Sequence, residues 1–100
     1  MSKICLTLLC PPTIEEQLLD LLLMSPSTTV FTSRPVTARG LTGVDLSPSE
    51  QVMGRSLAAE VKVIIAATDQ ASLLDSIRQQ FSGTGMRYWT GPVIESGEIA

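Results

Sequence analysis

The sequence contains no histidine. That removes the imidazole group, the usual proton shuttle near neutral pH and the commonest metal ligand. Cysteine is scarce too. Cys5 and Cys10 are the only two, too few for the disulfide framework of a small secreted scaffold. They stand five residues apart with opposite parity along one strand, which suits buried thiols better than a bridge or a ligand pair. Aromatics make up 4% of the chain. Basic residues number seven and never cluster: Lys3, Arg34, Arg39, Arg55, Lys62, Arg78 and Arg87. With a net charge of -3, nothing here would track a phosphate backbone, so no nucleic-acid partner is expected. Apolar runs are short. Leu18 to Met24 cannot span a bilayer, and Met1-Ser2-Lys3-Ile4 does not open a secretory leader. A cytoplasmic location without membrane insertion is the expectation.

What the chain does have is aliphatic residues. The hydrophobic fraction is 44% over 100 residues, enough to bury the core of one small domain, which we expect to span 1–100. Lys3 to Leu9 alternates as a strand: Ile4, Leu6 and Leu8 share one face, and Cys5, Thr7 and Leu9 the other. Cys10-Pro11-Pro12 stops it. Thr13-Ile14-Glu15-Glu16 has the spacing of a capping box. It predicts a helix whose inward stripe is Ile14, Leu18, Leu21 and Leu22, ended by Ser25-Pro26-Ser27. Thr28 to Thr37 is β-branched and reads as a strand, with Pro35 assigning it to a sheet edge.

Residues 38–56 differ in character. Gly40, Gly43 and Gly54 and the scarcity of large apolar groups predict an exposed excursion. Ser47-Pro48-Ser49-Glu50 predicts a short helix within it, to about Met53. Leu57 to Ala67 is a strand apolar on both faces, hence central. Thr68-Asp69 is expected to cap a second helix with Leu73, Leu74, Ile77 and Phe81 inward. Ser82 to Gly85 turns the chain, and Met86 to Ile94 forms a last strand, assigned to an edge by Gly91-Pro92. The order is β-α-β-β-α-β. It predicts an α+β, ferredoxin-like fold: a four-stranded antiparallel sheet with two helices on one face and strands one and three central.

This fold serves many functions, so side chains must decide. The central strands offer no aromatic ring for stacking a base. A soft-metal carrier would want Cys-x-x-Cys after strand one, and an acyl-phosphate hydrolase would want an arginine there; this chain has prolines. No nucleophile elbow or Walker loop is present. Glu15 and Glu16 are adjacent and point apart on a helix. No enzymatic activity is expected, and no cofactor or metal. The best ligand-binding candidates are Gly83, Thr84 and Gly85 with Arg87: glycines let backbone amides approach an anion, and arginine adds charge. The plainer reading is a helix-ending turn. Arg39 and Arg55 flank the excursion and are placed to meet an anion or an acidic partner.

Together these segments resemble the PII-like signalling proteins, most closely their short, poorly characterised branch. The carriers are the opening Lys3-Ile4 strand, the long excursion, and Val61-Lys62-Val63-Ile64-Ile65 followed by the Asp69 helix. To these add Glu50-Gln51-Val52-x-Gly54-Arg55 and Gly83-Thr84-Gly85-x-Arg87-Tyr88-Trp89 with Pro92-Val93. The resemblance implies a homotrimer and a small-molecule cleft between subunits, floored by the glycine turn. It also implies an effector loop at 38–56 that contacts a protein partner through residues such as Arg39, Glu50 and Arg55. It further implies sensing of adenine nucleotides or small metabolites, and a link with heavy-metal efflux transporters. The chain departs from nucleotide-binding members in two ways. Its glycine turn is short, and Glu95-Ser96-Gly97-Glu98 stands where they carry a basic, phosphate-gripping segment. A small metal-binding or metal-tolerance trimer of the same fold is the alternative.

Overall fold

The computed structural model describes residues 2–28, 30–40 and 56–100. Strand β1 (Lys3–Cys10) leads through a short 3-10 turn (Pro12–Ile14) into helix α1 (Glu15–Met24). Strands β2 (Phe31–Ala38) and β3 (Ser56–Ala66) follow. A second 3-10 turn (Ala67–Asp69) precedes helix α2 (Gln70–Phe81), and β4 (Arg87–Val93) completes the fold. The four strands form one antiparallel sheet in the order β2-β3-β1-β4. The two proline-bearing strands lie at the edges, as proline's missing N–H requires.

One face of the sheet carries Leu6, Leu8, Cys10, Ala59, Val61, Val63 and Ile65. Against it pack Leu18 and Leu22 of α1 and Leu73, Leu74, Ile77 and Phe81 of α2. The stripe expected for α2 is buried in full. Of the stripe expected for the first helix, Leu18 and Leu22 are fully buried, Leu21 borders the core, and Ile14 borders it from the 3-10 turn before α1.

Both helix entries differ from expectation. Thr13 makes no cap, because it lies inside the 3-10 turn that the two prolines set up. Pro11 is extended, Pro12 has its φ fixed by its ring, and Ile14 N donates to Pro11 O at 3.2 Å. A capping side chain needs extended backbone at its own residue, and Thr13 has none to offer. Asp69 likewise has helical backbone (φ -93, ψ -4) and no side-chain cap bond; instead Ser72 Oγ donates to Asp69 O at 3.2 Å. Strand β2 starts at Phe31 rather than at Thr28. The Thr28 hydroxyl is committed elsewhere, donating to the carbonyls of Leu22 and Ser25 at the end of α1.

The excursion is bounded by paired residues, since Ala38 faces Ser56 across β2 and β3. The helix expected at 47–53, together with Glu50 and Arg55, lies outside the described residues.

The face away from the helices is more mixed than the alternation of β1 and β3 implies. Register places Cys5, Thr7, Leu9, Ile64 and Ala66 on it, with Trp89 and Arg87 from β4. Across it Glu60 Oε1 accepts from Arg34 Nε at 3.0 Å and lies 3.8 Å from Lys62 Nζ. Thr7 is 4% exposed there, in register between Trp89 and Lys62.

Candidate functional site

The segment that joins α2 to β4 carries the expected ligand residues. Helix α2 ends at Phe81, Ser82 leaves the helical region, and Gly83 follows at φ +83. That is the glycine stop expected one residue past a helix cap. Thr84 completes the stop: its Oγ1 donates to Phe81 O at 2.7 Å and its amide reaches the same carbonyl at 3.3 Å. Gly85 reverses the chain again at φ +82. Among the described residues other than its chain neighbours, no atom lies within 4 Å of where a Cβ at Gly83 would project, so backbone conformation, not crowding, reserves that position for glycine.

Behind this turn is a cavity of about 170 Å³. Leu8, Leu74, Ile77, Phe81 and Met86 supply its apolar wall, and Ser82, Gly83, Gly85, Arg78 and Tyr88 complete the lining. Arg78 makes three contacts there. Its Nη2 donates to Tyr88 Oη at 3.3 Å, its guanidinium carbon lies 5.9 Å from the centre of the Tyr88 ring, and its Nη1 lies 3.4 Å from Asp75 Oδ1.

The structure brings Gly83, Thr84 and Gly85 together and places Arg87 elsewhere. Arg87 pairs with Leu9, so it belongs to the helix-free face, whereas Tyr88 pairs with Leu8 on the face that holds the cavity. Arg87 Nη2 donates to Gly40 O at 3.3 Å, which ties β4 to the start of the 38–56 excursion. Arg39 is exposed beside that contact in sequence. Arg78 is the residue that sequence reasoning missed. One signal pointed to it: it follows Ile77 on α2 and precedes Phe81 by one turn, so it stands at the margin of the buried stripe.

The two thiols part company. Cys10 is fully buried on the helix side, and Cys5 is partly exposed on the other face. They share no site within one subunit. Burial, and then the nearby Glu15 charge, push the Cys10 thiol up from its ordinary 9.0 to about 11. Among the described residues, no three His, Cys, Asp or Glu side chains gather as a metal site.

A second hollow, about 520 Å³ in volume, runs between the helices beside Gln17, Asp20, Leu21, Met24, Leu73 and Gln80. Among the described residues, no helix is long and apolar enough to cross a membrane.

The family described as "Protein of unknown function (DUF3240)" matches residues 1–100. The chain belongs to this family. A DUF3240 protein from Shewanella baltica aligns over 100% of this chain and 99% of its own, at 17% identity and a TM-score of 0.83. A nitrogen regulatory PII-like protein from Thiomonas intermedia K12, described as bound to ADP, AMP and bicarbonate, aligns over 99% of this chain and 98% of its own. Its identity is 13% and its TM-score 0.74. The ATP complex of GlnK from B. subtilis aligns over 93% and 85%, at 12% identity and a TM-score of 0.67. This DUF3240 chain therefore shares its fold with these PII-like and GlnK structures. No curated protein matches it.

Proposed function

We propose that this DUF3240 protein is a PII-like regulatory subunit that binds a small molecule beside its glycine turn and signals through the 38–56 excursion. The observation that carries this reading is the end-to-end correspondence with a nitrogen regulatory PII-like protein, 99% of one chain on 98% of the other. The link between Arg87 and Gly40 supports it, because it couples the strand after the turn to the root of the excursion. Assembly as a homotrimer through the helix-free face fits Ile64 and Trp89, which are 36% and 50% exposed there in the single chain. Closed symmetry is the ordinary way to cover such a face. The partner is a protein, of the heavy-metal efflux transporter class that the short PII-like branch implies, and Arg39, Glu50 and Arg55 are its contact residues. The same reading makes the protein cytoplasmic and non-enzymatic.

The effector is a small metabolite rather than a tightly held nucleotide, since Glu95 and Glu98 stand in the tail where a phosphate grip would be basic. Calorimetry against AMP, ADP, ATP and divalent metals tests this. No nucleotide is expected to bind more tightly than roughly 100 μM. A low-micromolar ATP constant that disappears in Arg87→Ala would restore a nucleotide sensor. Saturable metal binding lost in Cys5→Ser would favour a metal-tolerance trimer instead. Sedimentation equilibrium of the unliganded chain tests the assembly, and a stable monomer at micromolar concentration would defeat it.

A further inference from the structure

We infer that the cavity behind the glycine turn is a binding site for a small apolar carboxylate, one ring or a short chain bearing a single anionic head. The wall is Leu8, Leu74, Ile77, Phe81 and Met86, and the space is about 170 Å³. Cavities of about 150 Å³ lined by Leu, Ile and Phe accept a benzene ring, so one ring-sized group fits. Among the described residues that line the cavity, Arg78 carries a charge and none is acidic. Its guanidinium and the Tyr88 hydroxyl, also in the lining, are 3.3 Å apart.

That arrangement has a definite preference. A neutral apolar molecule would satisfy the wall and leave the guanidinium to water. A phosphate or a sugar would satisfy Arg78 and Tyr88 and leave the wall empty. A carboxylate on an apolar body uses both, with Arg78 and Tyr88 donating to its two oxygens. Among the described residues, Asp75 is the anion paired with Arg78, 3.4 Å from its Nη1, and both side chains are more than half exposed; a pair of that kind holds its partners weakly. The ring contact with Tyr88 holds the guanidinium against another lining residue, and a guanidinium has more N–H donors than its bonds to Tyr88 and Asp75 use. The inference rests on the regulatory reading and names the ligand class for its glycine-turn site; all the lining residues come from one chain, so binding is testable apart from assembly.

The test uses benzoate as probe and benzyl alcohol as its neutral counterpart, followed by methyl NMR of the full chain. Benzoate should saturate with a dissociation constant at or below about 1 mM. The shifted methyls should be those of Leu8, Leu74, Ile77 and Met86. Benzyl alcohol should bind about tenfold more weakly, the difference one charge-assisted contact makes. Arg78→Gln, a change at an exposed position, should bring benzoate down to the level of the alcohol. Met86→Trp should fill the space and remove both ligands. Lack of saturation by about 10 mM, shifts centred on other residues, or equal binding of acid and alcohol by the wild type would overturn the inference. Unchanged benzoate affinity in Arg78→Gln would do the same. A stable monomer in sedimentation that still binds benzoate would sink the trimeric reading and leave this site standing.

Discussion

Alkali should unfold this protein earlier than its composition alone would dictate, and Cys10 is the reason. The thiol is fully buried at the end of β1, and its pKa is pushed up from 9.0 to about 11, first by burial and then by Glu15. The unfolded chain gives up this proton near 9, while the folded chain holds it until about 11. Between those values the unfolded state binds fewer protons, so rising pH draws the equilibrium toward it. The contribution is fully present below pH 9 and is lost as pH climbs through 11. A shift of two units corresponds to roughly 3 kcal/mol when complete, and about half of that is gone by pH 10. Urea unfolding of the wild type and of Cys10→Val, measured from about pH 8 to about pH 10, isolates the effect. Other groups titrate alike in both proteins and cancel in the difference. The stability advantage of wild type over Cys10→Val should shrink by about 1–2 kcal/mol across that range. A difference that stays flat would refute the reasoning and mean that Cys10 ionises in the fold as freely as outside it.

The same asymmetry sets the order of thiol modification: a maleimide should label Cys5 first, and Cys10 only as fast as the protein opens, with equal rates refuting the burial. Leu22→Ala, at a position with 0% exposure, should cost about 2–5 kcal/mol in urea unfolding, and a loss under about 1 kcal/mol would place the residue outside the core. Gly83→Ala should destabilise by about 1 kcal/mol because φ is +83 there, whereas Gly91→Ala, at a glycine without positive φ or close neighbours, should be milder; the reverse order in thermal melts would contradict the turn geometry. Ile64→Lys should convert the assembled protein to monomer or prevent folding, read by sedimentation, and an unchanged oligomer would remove the helix-free face from the interface.

The sheet was legible because its signals are local and redundant. Strands β1 and β3 are apolar on both faces, and Pro35 and Pro92 can only be edge residues, so the order β2-β3-β1-β4 follows from chain chemistry. The α2 stripe was legible for the same reason, four apolar residues at helical spacing. The helix entries were not. Thr13 and Asp69 have the right residue types for caps, but capping depends on backbone angles, and Pro11-Pro12 in one case and the Ala67–Asp69 turn in the other had already fixed those angles. The site was half legible. Positive-φ glycines announce a turn, and Gly83 and Gly85 make one. Grouping Arg87 with them took sequence proximity for spatial proximity: strand parity sends Arg87 with Trp89 and away from Tyr88. Arg78 lines the cavity and meets Tyr88, ten residues on, a contact that no local pattern records.

The positions of Pro35 and Pro92 carry one more consequence. Each sits in an outermost strand, where a proline leaves the outward row of backbone donors interrupted. A neighbouring chain that tried to extend the sheet by adding a strand would meet that gap on either side. Association by the broad face is untouched. Growth is therefore steered toward particles that close on themselves and away from endless ribbons, which matters for a 100-residue chain whose small core leaves little stability in reserve.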